Sequence, residues 1–454
     1  MKKTRILIFA LVLSVVLSVF MPVTGLALEA PELNCRNAIL VDAAHDEVLY
    51  EKDAYAKAYP ASITKVMTAL LVLAAIDRGE LTADTPVTAS AQAVDIPWDS
   101  STAGIKEGEV LTVEQLLYCL LLPSANEAAK ILAETVAGTE AAFVEQMNQR
   151  AQELGCQGTH FVNPNGLHDD DHYTTAYDIS LFMKAAMEYD LFRTIISKPN
   201  YEIPPTNKTE TKRIVRNTNG LVSNWTYLGY LYLDKGIGGK TGSTEEAGSC
   251  LVQAAEDENN YLISVVLGAE IEVLDDGTVK RWHFLDTIHL LDWGFENFRR
   301  TTISEDSDPV TSVKVTLSSE TDQVMLKPSG TITRTLPKDI DLDDMEREIN
   351  RFSDTVEAPV AEGDVLGTMT LSYDGEVYGT VDLVAVTSVE RSELLYRLNQ
   401  IENFFRSSGV KLILAIILVV VVIVLLRVLV FRKRRRHYSG VGGGRRGRYS
   451  GRRR

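Results

Sequence analysis

Pro60-Ala61-Ser62-Ile63-Thr64-Lys65-Val66-Met67-Thr68 opens an apolar run that continues to Leu73. The run reads as a buried helix over residues 62–73. A serine at a helix N-terminus keeps its backbone N–H free, and the helix dipole favours negative charge there. Lys65 follows one turn later on the same face. In a desolvated site a lysine loses its proton more readily, and a neutral amine can take the serine proton. Taken alone, Ser62 is equally a plain helix cap. Two further elements change that balance. Ser124-Ala125-Asn126 follows the apolar helical run 112–122, where a hydroxyl and an amide can relay a proton and hold a substrate amide. Lys240-Thr241-Gly242-Ser243 follows the glycine-rich stretch 236–239. On a strand edge, Lys240 and Thr241 can bind a carboxylate, and Gly242 lets a ligand approach the backbone closely. A substrate strand can add to such an edge.

Around these elements the chain alternates between the two periodicities. Residues 38–41 and 47–50 read as a hairpin. Residues 141–154 read as a helix ending at Gly155, and Thr175-x-x-Asp178 as a capping-box start for a helix through Met187. Residues 230–233, 249–254 and 261–267 read as strands, and 282–298 as a closing helix. The expected fold is mixed α/β, with a mainly antiparallel sheet whose strands come from both ends of the domain. After residue 301 the texture changes. An acidic linker at 304–308 precedes short alternating runs at 313–317, 324–326, 331–336, 365–372 and 377–384, an all-β module of about ninety residues.

The two ends carry addresses. Residues 1–27 combine Lys2, Lys3 and Arg5 with an apolar run and a small-residue site at Gly25-Leu26-Ala27, the pattern of a secretory signal peptide. Residues 412–431 are apolar except for Arg427, long enough to cross a bilayer. Arg432 to Arg436 are basic throughout, so the tail 432–454 is expected inside and the body outside. That tail can also hold anionic lipid. Residues 391–408 form an amphipathic juxtamembrane segment, with Leu394, Leu395, Leu398, Ile401, Phe404 and Phe405 at helical spacing. It can lie on the outer leaflet or pack on its own domain. Removing the three basic residues at the start and the twelve from Arg427 onward leaves −31 of the net −16 in the middle. A body so acidic is not expected to bind nucleic acid. The four cysteines form no C-x-x-C, and Cys119 reads as a small core hydrophobe. His168-Asp169-Asp170-Asp171-His172 looks metal-like but reads as an acidic surface loop.

Serine-x-x-lysine, serine-x-asparagine and Lys-Thr-Gly, in that order, form the signature of penicillin-binding proteins and class A β-lactamases. Here they fall at 62, 124 and 240. With Asn163-Pro164-Asn165-Gly166-Leu167, His172-Tyr173-Thr174-Thr175-Ala176 and Lys240-Thr241-Gly242-Ser243-Thr244, the sequence resembles the low-molecular-mass penicillin-binding proteins, specifically the serine-type D-alanyl-D-alanine carboxypeptidases. The resemblance covers residues 30–390, including the β-module with Ala358-Pro359-Val360 and Gly363. It implies a β-lactamase/transpeptidase-like catalytic domain over 28–300, an all-β domain over 309–390 and a membrane anchor. It also implies roles. Ser62 would attack the carbonyl between the two D-alanines of a peptidoglycan stem peptide, with Lys65 as general base. Ser124 would pass the proton towards the leaving group, and Asn126 would bond the substrate backbone. Lys240 and Thr241 would attract the terminal carboxylate, Gly242 would allow close approach, and the N–H groups of Ser62 and Ser243 would hold the oxyanion. β-Lactam antibiotics would acylate Ser62 and so inhibit. No metal or organic cofactor is implied.

Two departures stand out: Ala125 replaces the subfamily's usual glycine, and a spanning helix follows the amphipathic one. Alternatives of the same fold are a transpeptidase, an endopeptidase or a β-lactamase. No E-x-x-x-N stretch, which holds the deacylating glutamate of class A β-lactamases, lies between Asn126 and Lys240. A different alternative is a catalytically weak peptidoglycan-binding scaffold.

Overall fold

A computed structural model describes residues 29–437. Residues 1–27, expected as a signal peptide, and the segment 438–454 lie outside the described residues. The chain divides into two compact units. The first holds residues up to Thr301 and also Thr333–Asp341; the second holds Thr302–Ile332 and everything from Leu342.

The first unit is built on a five-stranded antiparallel sheet. Its strands are β1 (Asn37–Asp42), β2 (Glu47–Lys52), β3 (Gly236–Thr244), β4 (Gly248–Glu256) and β5 (Tyr261–Ala269), in the spatial order β2-β1-β5-β4-β3. Strands from the two ends of the domain therefore meet, as expected. The centre is buried on both faces, so β1 and β5 read as continuous apolar runs rather than an alternation. Ile39 and Val41 enter the larger core, while Ala38 and Leu40 enter the smaller one. The smaller core lies under the closing helix, α6 (Trp282–Asn297), through Leu290, Leu291 and Phe295. The larger core packs the helices α1 (Thr64–Asp77), α2 (Val113–Leu121), α3 (Asn126–Ala137), α4 (Glu140–Glu153) and α5 (Ala176–Met187).

Helix α1 is buried on all sides over most of its length, so it carries apolar residues all round rather than a stripe. Its polar exceptions, Thr64, Lys65 and Thr68, are fully buried and cluster at its start. A 3₁₀ turn, Ala61–Ile63, precedes it, so Ser62 sits in that turn and not on the first α-turn. Helix α2 is closed by a full capping box between Thr112 and Gln115.

Two local expectations change. At α5, Thr175 caps the Asp178 N–H, but the Asp178 carboxylate does not reach back. It accepts instead from the N–H of Gly158 (2.8 Å) and Gln157 (3.3 Å) and from Thr159 Oγ1 (2.7 Å), tying down the turn after α4. Residues 230–233, expected as a strand, are irregular. Tyr230 packs on Phe284 and its hydroxyl bonds the Val279 carbonyl, while Leu231 and Leu233 stay exposed. The alternation there reflects two tyrosines packing inward, with no strand beside them.

The second unit contains a six-stranded sheet in the order Glu346–Arg351, Val365–Tyr373, Glu376–Ala385, Gln323–Pro328, Thr311–Thr316, Thr355–Glu357. Val313, Val315, Val324, Leu326, Met369, Leu371 and Leu383 form its buried side. Glu346–Arg351 was not legible as a strand, because every residue in it is exposed and its composition is that of a loop. Four of its six residues are charged, and it sits at the sheet edge, where charge rather than apolar alternation is the useful pattern. Helix α7 (Glu393–Arg406) follows, capped by Ser392, then α8 (Ser408–His437). The six apolar residues of α7 are all exposed, so this face does not pack on the unit's own sheet. Within α8, Ser408–Leu429 is long and apolar enough to span a membrane, and none of it is buried in the protein.

Replacing Asp178 with alanine strands three donors at a partly buried turn. We expect a loss of about 3 kcal/mol, read as a lowered unfolding midpoint, with the α5 cap at Thr175 intact.

Candidate active site

The three sequence elements meet at the start of α1. Lys65 is fully buried, and its Nζ lies 2.9 Å from Ser62 Oγ, 2.7 Å from Asn126 Oδ1 and 2.6 Å from the Asn165 carbonyl. These partners are not equivalent. The two carbonyl oxygens only accept hydrogen bonds, whereas a hydroxyl can accept or donate. An ammonium donates to all three. A neutral amine donates to the two carbonyls and is left with a lone pair aimed at Ser62. Burial first, and the charge of Lys240 second, push the Lys65 pKa well below the ordinary lysine value; Glu127 works the other way.

The second pair is Ser124 and Lys240, 3.0 Å apart, with Lys240 Nζ also donating to the Thr241 carbonyl at 2.8 Å. Burial brings Lys240 down to about 7. Ser124 has φ +64, a left-handed conformation rare for a residue with a Cβ. Such outliers are held at functional sites by their surroundings. The neighbouring Ala125 has φ −60, which any residue adopts, and its side chain is buried in the core. The unusual backbone thus falls on Ser124, and the alanine at 125 imposes no conformational strain. Asn126 opens α3 instead of lying in a loop, and its N–H bonds the Ser101 carbonyl.

Strand β3 is the outer strand of the sheet, so its far side is unpaired. Gly242 is pressed against the nucleophile turn. A Cβ there would lie 2.9 Å from the Pro60 carbonyl oxygen and 3.1 Å from Ser62 N. Thr241 Oγ1 is 2.6 Å from Thr218 Oγ1, and Thr218 N–H reaches back to the Leu122 carbonyl beside the second element. Ser243 stands exposed, one residue beyond Gly242.

Sequence reasoning assigned no role to the layer behind Ser62. Ala61 also has a left-handed backbone, φ +46. Its carbonyl accepts from Thr64 Oγ1 at 2.8 Å. Thr64 Oγ1 lies 2.8 Å from His172 Nε2, and His172 Nδ1 accepts from the Val162 N–H at 3.1 Å. Since Nδ1 accepts, the ring proton is on Nε2 and donates to Thr64. Burial lowers His172 to about 4, so the ring is neutral. His172 is therefore no part of a surface loop, whereas His168, Asp169, Asp170 and Asp171 are exposed there. Gly166 closes the layer with φ +83; a Cβ would fall 1.9 Å from the Ala61 carbonyl oxygen. Among the described residues, no group of three or more His, Cys, Asp and Glu side chains is placed to hold a metal ion. The four cysteines are free, and Cys119 is buried in the larger core.

A family model described as D-alanyl-D-alanine carboxypeptidase matches residues 24–271, and one described as the C-terminal domain of penicillin-binding protein 5 matches residues 298–391. The chain is 30% identical to the D-alanyl-D-alanine carboxypeptidase DacF of Bacillus subtilis, over 79% of this chain and 86% of that one. It is 31% identical to DacC of Escherichia coli, over 82% and 88%. The crystal structure of penicillin binding protein 5 from Haemophilus influenzae aligns with a TM-score of 0.64 at 27% identity, covering 80% of this chain and all of that one.

The His172 layer acts on Ser62 through the Ala61 peptide, which makes His172 a positioning residue. His172→Ala is expected to slow reaction of Ser62 with penicillin at least tenfold, with little change in the concentration for half-saturation. Thr64→Val should do the same, and the double variant should be no worse than either alone. Additive losses would separate the two residues.

Proposed function

The chain belongs to the D-alanyl-D-alanine carboxypeptidase family and is a serine-type carboxypeptidase, and we propose that it works through an acyl-enzyme on Ser62. The observation that carries this assignment is the triple contact of Lys65. Two fixed acceptors take its hydrogens and leave the lone pair for the Ser62 hydroxyl. Lys65 then removes that proton as Ser62 Oγ bonds the carbonyl carbon between the two D-alanines. The C–N bond breaks, and the proton passes from Lys65 by way of Ser124 to the leaving D-alanine amine. Water next attacks the ester, releasing the shortened stem peptide and restoring Ser62.

The remaining roles follow from position. Lys240 and Thr241 draw the terminal carboxylate. Asn126 has one oxygen committed to Lys65, which leaves its NH₂ for a substrate carbonyl. The Ser62 and Ser243 N–H groups hold the oxyanion, and Gly242, lacking a side chain, keeps the strand close to the nucleophile. A β-lactam enters by the same route and leaves slowly, because its leaving group stays attached. Penicillin-type inhibitors and cell-wall stem peptides are thus the partners of this site. We further propose that α8 spans the cell membrane with residues 432–454 inside, that α7 rests its apolar face on the outer leaflet, and that residues 1–27 direct export. The exposed apolar row of α7 supports this placement.

The test is release of D-alanine from a stem pentapeptide by the full chain in detergent. Ser62→Ala and Lys65→Ala should each reduce release by at least a thousandfold, and Lys65→Ala should also abolish the penicillin adduct. Unimpaired release by folded Ser62→Ala would overturn the reading. The pH profile adds a second check. Rising pH deprotonates Lys65 and speeds acylation; above about pH 7 Lys240 loses its charge and its pull on the carboxylate. We expect kcat/KM to pass through a maximum. A substrate ending in a carboxamide should lose the falling limb.

A further inference from the structure

A cavity of about 500 Å³ is lined by Tyr59, which precedes the nucleophile turn, and by Glu246 and Ala247, which follow β3. We propose that it is a subsite for the side chain of the stem-peptide residue preceding the two D-alanines, and that it selects a side chain ending in both an ammonium and a carboxylate over one ending in an ammonium alone. The inference rests on the catalytic reading above and adds the substrate's third residue to it.

Direction comes first. With the terminal carboxylate at Lys240 and Thr241 and the reacting carbonyl at Ser243, earlier residues of the substrate run along β3 past Thr244. The open edge of β3 leaves room for that strand. An extended chain advances about 3.3 Å per residue. The third residue's backbone is thus one step beyond Ser243, and a long side chain reaches several ångströms more. Ala247 N–H bonds Thr244 Oγ1 at 3.1 Å, Pro60 beside Tyr59 faces Gly242, and His168 links Tyr59 (4.8 Å between rings) to Glu246 (3.9 Å). The cavity thus lies at the end of β3 towards which the substrate runs.

Charge supplies the selectivity. Arg36, Lys52 and Lys57 line the cavity, and none of them has a carboxylate partner within ion-pair distance among the described residues. Arg36 donates to the Glu246 and Ala247 carbonyls, Lys52 to the Leu33 carbonyl and Lys57 to the Asp170 carbonyl. Lys57 also lies over the Tyr173 ring at 4.2 Å. Unpaired cations gathered in a body of net charge −31 mark a place that takes an anion. The acids lining it are Asp53 and Glu246, and the Glu246 carboxylate approaches His168 at 3.9 Å. The charged lining is thus net positive by one. A lysine side chain brings another cation to it. A diaminopimelate side chain brings a carboxylate for Lys57 and Arg36 and an ammonium for Glu246, and is neutral overall. Like charge disfavours the first and complementarity favours the second.

The experiment compares D-alanine release from two stem pentapeptides that differ only in the third residue, meso-diaminopimelate or L-lysine, using the full chain in detergent. Wild type should favour the diaminopimelate peptide about tenfold in kcat/KM. Lys57→Ala should lower kcat/KM at least threefold on that peptide and leave the lysine peptide within twofold. Glu246→Gln, which removes the partner of an ammonium that both side chains carry, should lower kcat/KM on both peptides. Penicillin acylation, which uses no third residue, should be unchanged in both variants. Equal kcat/KM for the two peptides in wild type, or equal losses on both in Lys57→Ala, would overturn the subsite while leaving the acyl-enzyme intact. Absence of both penicillin adduct and D-alanine release in wild type would instead overturn the catalytic reading, and the subsite with it.

Discussion

The first unit is organised around one buried amine. Lys65 has no access to water, so its hydrogens must be met by the protein, and three groups from three separate segments meet them. Asn126 comes from the start of α3, Asn165 from the loop before α5, and Ser62 from the turn before α1. Each segment is fixed by packing that has nothing to do with chemistry. The helix carrying Lys65 is enclosed by apolar side chains, the capping box of α2 sets up the approach to Ser124, and Asp178 ties the turn after α4 to α5. The cost of holding a lysine without its ordinary hydration is met by that surrounding order. For Lys240 this cost is greatest below about pH 7, where the buried group is charged, and it fades as pH rises toward the ordinary lysine range.

The second lysine completes the arrangement by being close without being redundant. Its charge helps lower Lys65, while its own hydrogens go to Ser124 and the Thr241 carbonyl. Two left-handed residues with side chains, Ala61 and Ser124, flank the two lysine pairs. Both are places where backbone preference has been overruled. At Ala61 the means of overruling are visible: the Thr64 hydroxyl holds its carbonyl, His172 holds Thr64, and the bare face of Gly166 gives the carbonyl room. The geometry of Ser62 is inherited from this layer.

Much of this was legible in the sequence. The helices announced themselves by apolar period and caps, and the sheet's central strands by continuous apolar runs. The three signature elements were legible by order and residue type, and the chain's membership in the carboxypeptidase family and its α/β-plus-β architecture accord with that reading. The illegible parts share a cause. Asn165 contributes a backbone carbonyl, which every residue possesses, so no side-chain pattern marks it. His172 sits among aspartates that are exposed, and sequence proximity to them concealed its burial. Glu346–Arg351 has a strand's backbone with a loop's composition. At 230–233 tyrosines and leucines alternate as a strand would, yet nothing lies alongside to pair with them. Burial and partnership are three-dimensional properties, and short segments reveal them only when the pattern happens to be redundant.

The charged outer strand of the second unit has a meaning beyond its own sheet. Any exposed backbone ladder is an invitation to other chains that are still folding. The Gly-rich ladder of β3 lies at the edge of its sheet, with its outer side open. Glu346–Arg351 presents the same kind of ladder under a row of fixed charges. One chain therefore carries a welcoming border and a forbidding one, both written in the same backbone grammar. Neutralising the second border would give the protein a trap for stray strands with no chemistry to release them.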